Sequence, residues 1–275
     1  MAIDNLLIKV FNSENEELKE LISKRYKELN EKKLRDIHYH NEINCIEDEF
    51  IPDYLEIFVN EMSFNTYSLK GIDYLDYCNY LKDRVDITRA EYMVNLLLET
   101  INYVRSYFKM DFQNNENDVR EMLLLYDYNK NKNTDKNYVS SISVFKDNGA
   151  GRCLEHALLI QNLLSFIGVD TSFFSTVQKT DEKICGHCFN VVHINDKNIL
   201  IDLVNVNILE NGQPSVIVKG ISDEKYNLLR NGEMIEIERK DSTREDGRKV
   251  SQYILLDSYN KGKKFSEIED VRRKQ

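Results

Sequence analysis

Residues 151–170 read GRCLEHALLIQNLLSFIGVD, and the fold turns on what this stretch becomes. From Leu154 to Ile167 apolar positions dominate with almost no polar face, the pattern of a helix buried on most sides. Gly168 comes next and predicts a glycine C-cap. Upstream, Gly149-Ala150-Gly151 permits a tight approach to the helix start. Cys153 then lies in the first turn, where unpaired N–H groups and the helix dipole favour an anion. A thiolate is stabilised there and becomes a better nucleophile at neutral pH. Taken alone, a cysteine heading an apolar helix is ordinary core, so the weight falls on the residues downstream of it.

Beyond Gly168 the apolar period switches toward two. Residues 171–177, 187–194, 199–204, 215–218, 234–239 and 249–256 read as strands separated by Asn, Asp, Gly and Ser. A helix followed by antiparallel strands predicts an α+β domain. His187 begins one strand, Asp202 lies near the end of the next, and Asn195-Asp196 supplies a two-residue hairpin turn. If Ile194 pairs with Lys197, Phe189 opposes Asp202 and His187 opposes Val204. His187 and Asp202 then share a face with Cα atoms ~7 to 8 Å apart, and a shift of one residue would separate them. In this register the carboxylate can orient one imidazole nitrogen while the other takes a thiol proton. Cys153, His187 and Asp202 are the candidate catalytic residues.

The part of the chain before this core reads as helical. Ser13-Glu14-Asn15-Glu16 and Thr88-Arg89-Ala90-Glu91 both fit capping boxes, each ahead of apolar residues at helical spacing. Residues 50–85 read as helical with breaks, and Asp118 to Tyr126 as a short helix. The polar stretch YNKNKNTDKN at 128–137 reads as an exposed loop or boundary. These features predict a mostly helical region over 1–137, suited to substrate or partner recognition, a catalytic domain over 138–258, and a charged tail over 259–275.

Bulk properties narrow the functional class. The chain has 275 residues and a formal charge of -10, which argues against a general nucleic-acid or anionic-membrane binder. No window reaches the ~20 apolar residues of a membrane span, and the N-terminus lacks the pattern of a cleaved signal. Five unevenly spaced cysteines point to a reducing compartment, so the expected location is cytoplasmic. Export by a signal-free route would leave the same composition. Cys185-Gly186-His187-Cys188 offers a CxxC, but a tetrahedral metal needs further ligands and there is no second CxxC. The nearest supplement is His38, His40 and Cys45, and the reading is no metal and no cofactor. No P-loop signature is present.

The same residues resemble a known superfamily. GRCLEHALLIQNLLSFIGVD is similar to the nucleophile helix of transglutaminase-like proteins, Gly-x-Cys-x-x-x-Ala followed by leucines and a closing Gly-Ile or Gly-Val. HCFNVVHINDKNILIDLVN, residues 187–205, resembles their His strand, hairpin and Asp strand, with His187, Asn190 and Asp202 at corresponding places. The likeness covers about residues 138–210. It implies a nucleophile helix packed on an antiparallel sheet, a Cys-His-Asp triad, and acyl transfer at an amide of a peptide or protein. The Gly-Arg-Cys-x-Glu form is particularly close to the peptide N-glycanase branch, whose zinc-binding cysteine pairs have no counterpart here. Animal transglutaminases use an upstream tryptophan near the oxyanion, and this chain has none. The expected oxyanion donors are the Cys153 backbone N–H and either Asn148 or Tyr138. Glu155 and Asn190 are candidate substrate-binding residues. The competing class is a non-enzymatic interaction module, in which the helical region binds a partner and the core is a retained scaffold. Oligomeric state is not fixed by the sequence.

Overall fold

The computed structural model describes residues 2–31, 38–40, 43–47, 55–56, 66–68, 72–109, 123, 140–148, 151–179, 184–208, 214–231, 240–243 and 249–252. The elements run α1 (Ala2–Asn12), α2 (Asn15–Glu31), β1 (His38–His40), β2 (Ile43–Glu47), β3 (Leu55–Glu56), β4 (Thr66–Ser68), α3 (Tyr74–Lys82) and α4 (Tyr92–Phe108). Then come β5 (Ser140–Ser141), a 3-10 turn (Ile142–Phe145), α5 (Cys153–Phe166), β6 (Thr171–Lys179), β7 (Ile184–Ile194) and β8 (Lys197–Ile208). The last are β9 (Pro214–Ile221), α6 (Asp223–Arg230), β10 (Lys240–Thr243) and β11 (Lys249–Gln252). The chain is α+β, with helices and an antiparallel sheet. It divides into two compact units, Met1–Arg35 with Asp48–Thr171 and Asp36–Glu47 with Ser172–Gln275. The sequence boundary at 137/138 lies outside the described residues.

In the first unit α1 and α2 pack on α3, α3 on α4, and α4 on α5. Every residue of α5 from Leu154 to Phe166 is buried, as a helix that is apolar on nearly all sides must be. Its polar members are satisfied locally: Gln161 Nε2 donates to Thr171 O at 2.8 Å and Asn162 Nδ2 to Leu158 O at 2.8 Å. Gly168 has φ 83°, the left-handed end that its position predicts. The Arg25 guanidinium on α2 donates to the Ser165 and Phe166 carbonyls at 3.2 and 3.3 Å, and so closes the α5 C-terminus. Tyr74 stacks on Phe166 at 4.2 Å, while the buried Tyr77 and Thr100 hydroxyls share a 2.7 Å bond between α3 and α4.

Both capping boxes form differently from expectation. Ser13 Oγ donates backward to Lys9 O at 2.7 Å, a carbonyl at the end of α1 that also accepts the Ser13 N–H at 3.0 Å. Thr88 bonds Asp86 through both its N–H and its hydroxyl, and α4 starts at Tyr92 with no side-chain cap. Short strands also occur in the stretch read as helical. Of the helix expected over 118–126 and the strand expected over 234–239, only Leu123 is described.

In the second unit the sheet order is β1-β2-β6-β7-β8-β9. The pairs β1–β2, β2–β6, β7–β8 and β8–β9 are antiparallel. Phe174, Phe189, Val191, Leu200 and Leu229 form its core, with Ile217, Ile221, Tyr226 and Leu228 packed against them. Phe174 and Phe189 stack at 5.2 Å. Helix α6 covers this core and starts with a Ser222 cap, Oγ accepting the Lys225 N–H at 3.2 Å. The strand pattern around it does not predict this helix. The turn between β7 and β8 is Asn195-Asp196, both residues with positive φ (51° and 57°), as a type I′ turn requires.

Candidate active site

Cys153 lies in the first unit, and His187 and Asp202 lie in the second. In the first, Cys153 opens α5 and is half-buried. Arg152 is the N-cap residue, with extended backbone at φ -103° and ψ -178°. An arginine side chain has no acceptor, so it cannot cap the first-turn N–H groups. The start of the helix is instead held from within. The Arg152 N–H donates to Glu155 Oε2 at 2.8 Å. The Arg152 carbonyl accepts the His156 N–H at 3.1 Å and the His156 ring at 2.7 Å. Because a carbonyl only accepts, Nδ1 of His156 carries the hydrogen. The His156 ring lies 4.4 Å from the Phe108 ring. A Cβ at Gly151 would stand 2.5 Å from His156 Cε1 and 3.1 Å from Phe108 Cδ1. The close approach expected of that glycine is therefore present.

In the second unit His187 Nε2 and Asp202 Oδ2 are 2.7 Å apart, with side chains 3% and 1% exposed. The ladder pairs Ile194 with Lys197 and Asn190 with Ile201, the register that brings residues 187 and 202 to one face. The other Asp202 oxygen, Oδ1, accepts the Val204 N–H at 3.1 Å. That N–H is available because the β8–β9 register jumps from Asp202↔Ile217 to Val206↔Val216, which takes the intervening residues of β8 out of the ladder. Both carboxyl oxygens are thus engaged, and the His187 ring is fixed with Nε2 on the carboxyl side. Phe189 lies on the same face, its ring 6.1 Å from that of His187.

The remaining candidates fall elsewhere. Glu155 is fully buried and bonded to the Arg152 N–H. Asn190 is fully buried and, three residues along β7 from His187, points to the opposite face. The Asn148 amide donates to the Val144 and Lys146 carbonyls, both at 3.0 Å, and so closes its own turn. Tyr138 lies outside the described residues, as do the side chains of His38, His40, Cys45 and Cys185. Cys188 is buried. Among the described residues no group of three or more His, Cys, Asp or Glu side chains is placed to hold a metal ion. No helix among them is long and apolar enough to cross a membrane.

The role of His156 is legible in the sequence only in outline. A histidine four residues after an N-cap can reach back to the N-cap carbonyl, but the sequence does not say which rotamer it takes. Glu155 carries a clearer signal, since an acid at the third helical position is the returning half of a capping box. No family model matches the chain, and no curated protein or solved structure matches it.

Proposed function

We propose that the protein is a thiol-dependent acyl-transfer enzyme acting at an amide of a peptide or protein, built on a transglutaminase-like core. The observation that carries this reading is the buried 2.7 Å bond between His187 and Asp202. The carboxyl orients the imidazole through Nε2, so Nδ1 is the nitrogen assigned to proton exchange in this reading. Cys153, at a helix start whose N-cap brings no competing oxygen, is the nucleophile in this reading.

The proposed reaction has two steps. Cys153 Sγ loses its proton to His187 Nδ1 and attacks the amide carbonyl carbon. The carbonyl π pair moves to oxygen, where the Cys153 N–H stabilises it. When the tetrahedral centre collapses, the C–N bond breaks, His187 returns the proton to the departing amine, and a thioester remains. An acceptor, either water or a second amine, gives its proton to His187 and attacks the thioester, and the thiol is restored. Water makes the enzyme a protease or a deamidase, depending on which amide it opens; an amine makes it a transglutaminase. No cofactor enters.

The test is incubation of wild type and Cys153→Ala with a complex peptide pool, read by mass spectrometry for new termini, deamidated side chains and cross-links. The expected result is one of these changes in the wild type alone. Identical pools would overturn the reading.

A further inference from the structure

We propose that Glu155 and His156 are positioning residues that grip the Arg152 backbone from both sides and thereby aim the Cys153 N–H. The inference rests on the thiol-centre reading above.

The peptide group joining Arg152 to Cys153 is planar and trans, so its C=O and N–H point in opposite directions. His156 holds that carbonyl twice, with its backbone N–H at 3.1 Å and its ring at 2.7 Å. Fixing the oxygen toward the body of α5 fixes the Cys153 N–H away from it, toward where an oxyanion donor is required. Glu155 Oε2 holds the preceding peptide through the Arg152 N–H at 2.8 Å, so Arg152 cannot rotate about either of its bonds without breaking a contact. Phe108 backs the His156 ring at 4.4 Å, and Gly151 leaves the ring its space, since a Cβ there would stand 2.5 Å from Cε1. Both side chains are at most 1% exposed. Both side chains thus bond the backbone of the residue before the nucleophile, which gives Glu155 a positioning role beside the substrate-binding role expected of it.

Two thiol probes separate positioning from general reactivity. A small aldehyde such as N-acetylglycinal adds reversibly: the C–S bond forms, the carbonyl π pair moves to oxygen, and that oxygen takes a proton from protonated His187. Its affinity senses the oxyanion donor, whereas iodoacetamide alkylates the thiol by displacing iodide and forms no oxyanion. His156→Ala and Glu155→Ala are expected to weaken aldehyde binding by about tenfold to a hundredfold. Alkylation should change by less than about threefold, equivalent to about 0.6 kcal/mol. His156→Asn keeps a donor near the Nδ1 position and Glu155→Gln keeps an acceptor oxygen, so both should recover most of the aldehyde affinity. Glu155→Gln and Glu155→Ala remove the same charge, so their difference isolates the hydrogen bond. If an alanine variant does not fold, Gly151→Ala serves in its place by displacing the His156 ring. Unchanged aldehyde binding, an equal loss with both probes, or no recovery by Asn and Gln would overturn the proposal. In parallel, His187→Ala should slow reaction with both probes. If it does not, the thiol-centre reading itself fails, and this inference with it.

Discussion

At the start of α6, Ser222 closes the first turn with its own hydroxyl, and at the start of α3, Asp73 does the same by accepting the Asp76 N–H at 2.9 Å. At the start of α5 the corresponding residue is Arg152, which has no oxygen in its side chain to offer. There Glu155 and His156 secure the turn from inside the helix. The first arrangement spends the helix terminus on local stability. The second holds the N-cap peptide from inside the helix, and its N-cap side chain has no oxygen to offer the first-turn N–H groups. Under the proposed function, the contrast separates a helix start that serves local stability from one that presents Cys153. A second contrast lies within one unit. Cys78, in the interior of α3, is fully buried and its thiol is pushed up to about 12 by burial, whereas Cys153 is half-buried at a helix start.

The largest expected effect comes from Asp202→Asn. It leaves a side chain of the same size but makes the wrong hydrogen bond to His187, and turnover of whichever amide the enzyme opens should fall about 10³- to 10⁴-fold. Retained turnover would remove the acid from the mechanism. Arg152→Ser converts the α5 start to the α6 kind. It should raise stability by about 1 kcal/mol in urea titration and slow alkylation of Cys153 about fivefold, as the new hydroxyl draws on the first-turn N–H groups. An unchanged alkylation rate would erase the contrast between the two starts.

Cys78 makes a pH prediction. Its folded thiol ionises only near pH 12, while the unfolded thiol does so near 9.0. The stability it contributes is complete below 9.0 and is lost as pH rises toward 12, because the unfolded chain alone releases the proton. Unfolding free energy should therefore decline between pH 9 and 10 by up to about 1.4 kcal/mol per unit, and Cys78→Ala should flatten that decline. A slope unaffected by the substitution would contradict the buried thiol. The smallest effect is Ser222→Ala, expected to cost about 1 kcal/mol without altering the alkylation of Cys153.

Local signals made α5, its Gly168 end, the Asn195-Asp196 turn and the β7–β8 register legible in the sequence. An apolar run bounded by glycine, and an alternation interrupted by two turn residues, are each specified within about ten positions. From that register the meeting of His187 and Asp202 follows by parity alone. What stayed hidden depended on distant or competing partners. The pairing of β2 with β6 joins Asn44 to Ser175, a non-local contact with no local signature. Ser13 had two possible partners and bonded the end of α1. Helix α6 was not read from the sequence: its start, Ser222-Asp223-Glu224, is a cap followed by acids, but its short apolar face makes sense only with the sheet core to cover. Glu155 and His156 were visible as residues beside the nucleophile, and only their rotamers revealed that both serve Arg152.

The central claim is that Cys153 is activated by His187, and the most direct measurement compares Cys153 with Cys78 in one experiment. Folded protein is exposed to limiting iodoacetamide across the neutral pH range, and label at each cysteine is quantified by peptide mass spectrometry for wild type and His187→Ala. The account predicts that Cys153 labels far ahead of Cys78 in the wild type and loses most of that lead in His187→Ala, with Cys78 unchanged. A Cys153 that labels no faster than Cys78, or that keeps its full lead without His187, would contradict it.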